Sequence, residues 1–534
     1  LKTKKRPLAE TVEFVILAEN KKPEKRIKMS NNHEEAYKEL VKRSEEVQLI
    51  GSCASVLHWD EQTYMPQAGS EYRAEQSAYL AGLAHKKAVD PKIGELLDIL
   101  EKSPYMKDEY SDQAVNVRET RYEYDKNVKI PQELVEEITR ATTIAQGVWI
   151  EARKENNFKK FLPHLEKIIK LNLQVADHLG YKKEAYDALL DNYEPGATAE
   201  SIGKVFDGFR AELVDLVKAI SESSRKPDMS IIEREYPVDR QKLFSQSAAA
   251  AIGFDFRTGR LDISAHPFTT GLGPKDTRIT TRYNPNHFAQ AFFGVMHEAG
   301  HGIYDQGLDR AYHGTPRGDS VSLGIHESQS RMWENLVGRS KSFWKHFFPR
   351  AQQMFPENLS NVAFDDFYFA INDVRPSLIR VEADEVTYNL HILLRFEMER
   401  AFLRGEITPR DVPEAWNEKF TNYFGITPPN DADGCMQDIH WPAGYIGYFP
   451  TYTLGNLYAA QFFAKAKDDI RYLEDQFAVG NFSELFQWLR NNIHVHGKKY
   501  RAEKLVEVVT GKPLSHKPAM DYLRMKFGEL YDLK

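Results

Sequence analysis

The chain has 534 residues, 42% of them hydrophobic and 12% aromatic, with a formal net charge of −7. That composition supplies a large core, and the acidic balance argues against nucleic acid as a main partner. No apolar run approaches the ~20 residues that a bilayer-crossing helix needs, so no membrane partner is expected.

Residues 1–28 stand apart, with nine Lys/Arg against four Glu, a net of +5 that leaves −12 for the remainder. Their apolar piece, residues 14–18, falls short of the ~7–15 residue core of a secretory signal. Met29-Ser30 followed by Asn31-Asn32 reads as a natural start and a helix cap. The expected organisation is a non-catalytic N-terminal extension over 1–28 and one two-lobed helical catalytic domain over 29–534. Cys53 and Cys435 are the only cysteines and lie far apart, so no disulfide framework is expected and the expected compartment is the cytoplasm.

From Asn32 onward the pattern is that of long helices. Tyr37, Leu40, Val41, Val47, Ile50, Ala54 and Leu57 keep a helical period until Met65-Pro66 breaks it. Asp90-Pro91 and Ile130-Pro131 each read as an N-cap with proline at the first helical position. A further helix ends at Gly180, and Thr198 caps the next. Residues 29–227 are thus expected to form a helical wall or lid. Between 228 and 283 glycines recur, and residues 260–264 and 278–283 read as strands of a small sheet. The edge of such a sheet could hold an extended peptide, and a purely structural hairpin fits the spacing equally well.

Residues 284–534 are expected to carry the catalytic helices. Asn284-Pro285-Asn286 is a stop-and-cap signal with Asn286 the expected N-cap, and Phe288, Phe292, Val295, Ala299 and Ile303 then repeat as one buried helix face. On that helix lies His297-Glu298-Ala299-Gly300-His301, of the form H-E-x-x-H. His297 and His301 are one turn apart and can reach one metal ion. Glu298 is turned about a quarter-turn away, which suits a base beside the metal better than a ligand. A catalytic zinc takes a third protein ligand. The pattern H-E-x-x-H-x-x-G-x-x-H is excluded, because Tyr304 and Gly307 occupy its last two positions. Glu327, 26 residues beyond His301, is the favoured third ligand, with Glu334 and His326 as alternatives.

At these residues the chain resembles the carboxypeptidase Taq family of metallocarboxypeptidases over most of residues 30–534. The motifs that carry the resemblance come in order: His266-Pro267-Phe268, then Asp276-Thr277-Arg278-Ile279-Thr280 (D-x-R-x-T), then the H-E-x-x-H helix. His326-Glu327-Ser328-Gln329, Ile379-Arg380-Val381-Glu382-Ala383-Asp384 and Gly434-Cys435-Met436-Gln437-Asp438-Ile439-His440-Trp441 complete them. The resemblance implies a mainly α, elongated fold with a deep groove and a small β-sheet beside the H-E-x-x-H helix. It also implies a homodimer that removes single amino acids from peptides with a free C-terminus, with broad side-chain tolerance. Zinc is the implied metal and cobalt a substitute.

An exopeptidase has to recognise a terminal carboxylate, and a guanidinium does so through two parallel hydrogen bonds. Spacing alone leaves Arg380 open between that task and a surface ion pair with Asp384, and the resemblance favours the former. Tyr445 and Tyr448 stand in a Y-x-x-Y-F run similar to that of other helical zinc peptidases with deep grooves. By that likeness Tyr448 and His440 stabilise the oxyanion while Tyr445 assists Arg380. Cys435 reads as a buried bystander. The rivals to this reading are a zinc endopeptidase or dipeptidyl carboxypeptidase of similar fold, and a helical peptide-binding scaffold without catalysis.

Overall fold

The structure, a computed structural model, describes residues 22–533. Residues 1–21 of the expected extension lie outside the described residues. Helix α1 (Lys22–Thr63) runs through Met29 and Asn31-Asn32, so the cap expected there is absent.

Helices α2 (Ser70–Ala88), α3 (Pro91–Leu100) and α4 (Asp112–Lys129) follow. Asp90 caps α3 as expected, accepting the Lys92 N–H at 2.8 Å. Packing of α1, α3 and α4 gives a small separate core around Leu40, Leu97 and Leu100, whereas α2 buries no residue fully. Next come α5 (Gln132–Lys154), α6 (Phe158–Leu179), α7 (Ala185–Leu190) and α8 (Ala199–Glu222). Pro131 stands just before α5 rather than at its first residue, Gly180 ends α6, and Thr198 with Ser201 forms a capping box on α8.

Helix α9 (Val238–Ile252) occupies the first half of the stretch expected to be sheet, so strands are confined to β1 (Gly259–Ile263), β2 (Thr269–Gly273) and β3 (Asp276–Thr281). Their order is β1-β3-β2, with β1 parallel and β2 antiparallel to β3. Strand β2 is absent from the expected set. Two glycines in its five residues erase the β-branched alternation that marks a strand, and pairing with β3 supplies what the local sequence lacks. Central β3 buries Ile279 and Thr281 against the next helix, α10 (Phe288–Gly307), and Thr280 on its other face. Helix α1 crosses the outer side of the sheet. The Arg278 guanidinium lies 4.2 Å from the Trp59 ring, Tyr64 donates to Asp262 at 2.7 Å, and Ser52 donates to the Leu272 carbonyl.

The rest is helical: α11 (Leu323–Arg331), a π-helical turn over Met332–Val337, α12 (Lys341–Met354), α13 (Pro356–Leu359) and α14 (Phe364–Ala370). Then come α15 (Thr387–Arg404), α16 (Val412–Phe424), α17 (Pro450–Asp469), α18 (Leu473–Ala478), α19 (Ser483–Asn492), α20 (Ala502–Thr510) and α21 (Lys517–Tyr531). One hydrophobic core runs from Leu134 to Tyr531 and contains the buried faces of α10 and α17. Among the described residues no helix is long and apolar enough to cross a membrane. The mainly α fold with a small sheet beside the H-E-x-x-H helix is the expected one.

Candidate metal centre

Helix α10 starts one residue later than its sequence suggests. His287, not Asn286, is the N-cap, its Nδ1 accepting the N–H groups of Ala289 and Gln290 at 3.1 and 3.3 Å. Burial holds the His287 pKa down, which keeps the ring neutral and able to accept. Further along, His297 and His301 face each other edge to face with ring centroids 4.9 Å apart.

Helix α11 is brought to them by two glycines. A Cβ on Gly300 would stand 2.6 Å from the Gln329 carbonyl oxygen, and one on Gly455 of α17 would stand 2.4 Å from Glu327 Cγ. Clamped from both sides, Glu327 places Oε2 at 3.4 Å from His301 Nε2 and 3.6 Å from His297 Nε2. A tetrahedral ion with ~2.0–2.1 Å bonds separates its ligands by roughly 3.4 Å, so this donor set fits zinc. Glu327 Oε1 is occupied by Arg331 Nε at 2.7 Å, which leaves Oε2 to face the histidines.

The alternatives to Glu327 lie behind the imidazoles. Glu334 Oε2 meets His297 Nδ1 at 2.8 Å, and His326 Nδ1 meets His301 Nδ1 at 2.6 Å while its Nε2 meets Asp305 Oδ1 at 3.0 Å. Each such partner fixes the orientation and tautomer of the ring it meets. Burial would raise the Glu327 pKa, but Arg331 and the two histidines override it and hold the carboxyl well below the usual range. Burial and the His326 and His297 rings push His301 down to about 4 against the pull of Glu327, which keeps the ring neutral. Burial pulls His297 the same way, yet Glu327 and Glu334 more than offset it, and its pKa is raised.

Glu298 is buried beside this group, and burial raises its pKa. Its Oε2 lies 2.6 Å from Thr269 Oγ1 on β2.

Arg380, His440, Tyr445 and Tyr448 form an adjoining cluster. Arg380 is buried, and Asp384 is not its partner. That carboxylate caps α15 through the Val386 and Thr387 N–H groups, so the surface ion pair is ruled out. Instead Arg380 Nε and Nη2 meet Asp438 Oδ1 at 3.0 and 2.8 Å, and Nη1 donates to Tyr388 Oη at 3.0 Å. Asp438 Oδ2 accepts from Arg395, so one buried carboxylate serves two guanidiniums. Tyr388 joins the clusters, because Arg331, the partner of Glu327, lies 4.3 Å from its ring. His440 Nε2 is 3.2 Å from Tyr452 Oη, and burial with the neighbouring arginines pushes the imidazole down to about 3 despite Asp438. Tyr448 packs 5.4 Å from the His440 ring, and burial with Glu327 nearby pushes its phenol up to about 12. Tyr445 is half exposed and stacks on Tyr448 at 6.0 Å; no hydrogen bond joins it to Arg380 among the described residues.

Two supports are hidden in the sequence. Glu194 accepts from Gly324 N–H, Ser322 Oγ and Tyr458 Oη at 2.9–3.0 Å, fixing the start of α11. Glu399 accepts from Gly447 N–H, Trp441 Nε1 and Tyr186 Oη at 2.8–3.0 Å, fixing the segment with the two tyrosines. Burial pushes both carboxyls up to about 7. Neither has a spacing signal, because their partners lie tens to hundreds of residues away. Cys435 is buried and unpaired, the expected bystander.

A sequence model described as carboxypeptidase Taq (M32) metallopeptidase matches residues 39–527. Thermostable carboxypeptidase 1 of Thermus thermophilus is 48% identical over 507 residues, which cover 93% of this chain and 99% of the relative. Carboxypeptidase 1 of Bacillus subtilis is 38% identical, with 94% and 99% covered. Among solved structures, an M32 carboxypeptidase from Deinococcus radiodurans R1 superimposes with a TM-score of 0.90 at 40% identity, covering 93% of this chain and all of that one.

Proposed function

The chain belongs to the carboxypeptidase Taq (M32) metallopeptidases and is a metallocarboxypeptidase; from that premise we propose a zinc enzyme that releases single amino acids from peptide C-termini with broad side-chain tolerance. The observation that carries this reading is the triad of His297, His301 and Glu327 at ligand separations, with the Glu298 carboxylate buried beside it. Zinc, or cobalt in its place, would supply Lewis acidity that makes a water nucleophilic near neutral pH. Glu298 accepts the proton of the attacking water and returns it to the leaving amine nitrogen. Tyr448 keeps its phenolic proton and His440 is a neutral imidazole, so both can donate to the developing oxyanion.

Arg380 receives the substrate's terminal carboxylate. Supporting this, Arg380 and Arg395 share a single Asp438, which leaves a buried surplus of positive charge that an anion would neutralise. Tyr445, at the exposed rim, assists. The protein is read as a cytoplasmic homodimer of 61.5 kDa chains, a mass that sedimentation would show doubled.

The test uses one peptide with a free or an amidated C-terminus, followed by mass spectrometry on metal-analysed enzyme. Single-residue ladders from the free acid alone are expected. Arg380→Ala should retain metal and lower kcat/KM on the free acid by at least about thirtyfold, with little loss on the amide. Internal cleavage, dipeptide release or equal losses on both peptides would overturn the reading.

A further inference from the structure

The Glu298 carboxylate is held by one side chain. Thr269 Oγ1 lies 2.6 Å from Oε2 and 3.0 Å from the Glu298 main-chain oxygen, and among the described residues no other side chain bonds this carboxylate. Oε1 accepts no hydrogen bond among the described residues. A glutamate's last torsion is broad and nearly free, so a buried carboxylate without a partner sweeps its two oxygens around the Cγ–Cδ axis. Pinning one oxygen fixes the plane and aims the other.

Thr269 is itself held in place from the neighbouring strand. The residue before it, Phe268, gives its N–H to Thr280 Oγ1 and accepts the Thr280 N–H through its carbonyl, both at 2.9 Å. Thr280 is fully buried, and Ser264 Oγ bonds its hydroxyl at 2.7 Å. The last residue of D-x-R-x-T thus fixes the last residue of H-P-F, and the next residue along is Thr269.

Resting on Glu298 as the general base, we propose that Thr269 is its positioning residue: the hydroxyl holds Oε2 so that Oε1 faces the attacking water. The hydroxyl has two acceptors in reach and a single hydrogen. It donates to Oε2 while the carboxylate is charged. When Oε1 takes the proton from water, Oε2 becomes the carbonyl oxygen of the acid and still accepts from Oγ1. No proton leaves Thr269, so both halves of the base's cycle keep a partner.

Thr269→Val removes the hydroxyl while keeping shape and strand preference, and Thr269→Ser keeps the hydroxyl. The valine variant should lose about 10–100-fold in kcat, with KM within about threefold of wild type and full metal content, and serine should restore kcat to within about threefold. Glu298→Gln should by itself lose about 10²–10⁴-fold while keeping metal, and adding Thr269→Val should then cost nothing more, since both act through one carboxylate. A wild-type kcat in Thr269→Val, failure of serine to rescue, or a full extra loss in the double variant would overturn the proposal. Retained turnover in Glu298→Gln would remove the base itself, a failure visible in that variant alone and one that takes the role of Thr269 with it.

Discussion

Glu327 and Glu334 stand on opposite sides of one imidazole. Glu327 reaches the Nε2 edge of His297, where a metal would sit, and Glu334 bonds Nδ1 behind it. Glu327→Ala should therefore abolish metal binding, whereas Glu334→Ala should keep a site weakened about 10–100-fold. Equilibrium dialysis with the two variants measures this, and metal loss in the second but not the first would exchange their roles. The two histidines were legible because four-residue spacing is a property of any helix. His326 was legible only as a rival ligand, because nothing local shows that its ring turns toward Asp305 and the rear of His301. Asp438 stood in a motif without a role, since its partners Arg380 and Arg395 lie 58 and 43 residues away.

Helix α11 runs into a π-helical turn over Met332–Val337. Periodicity arguments assume 3.6 residues per turn, so a wider turn moves Glu334 off the face that counting assigns it. Close approach matters equally, and Gly455 shows how. A methyl at this position would overlap Glu327 Cβ at 2.6 Å as well as Cγ. Gly455→Ala should raise the metal dissociation constant at least about tenfold and cost about 1–3 kcal/mol, measured by metal titration and thermal melts. Unchanged affinity would mean that α17 does not hold the ligand. Alanine is the better helix former, so propensity alone predicts the opposite sign. The helices were legible as elements, whereas which glycine serves as a contact surface is decided by the partner helix.

Across the whole molecule, the buried charges set the response to acid. Burial would raise the Asp438 pKa, but Arg380 and Arg395 override it and hold the carboxyl far below the usual aspartate range. In the folded protein it stays ionised at pH values where the unfolded chain takes up a proton. Its contribution is intact above the unfolded value of about 3.9 and drains away as pH falls below it. Asp438→Asn should cost about 3–5 kcal/mol near neutrality, because it strands two buried guanidiniums, and the gap to wild type should narrow below about pH 4. Urea melts at several pH values measure both. A gap that widens in acid would contradict the linkage.

Gly455 and Tyr458, which flank Glu327 and its anchor Glu194, belong to α17, more than a hundred residues beyond that carboxylate. During synthesis the H-E-x-x-H helix and Glu327 are therefore exposed long before the surface that seats them exists. Ion capture is therefore expected to close folding rather than to nucleate it. A chelator present during refolding should leave the main fluorescence phase unchanged, and metal added afterwards should restore activity without a second slow phase. Acceleration of that main phase by the metal would show that the ion organises the chain instead of arriving in a completed seat.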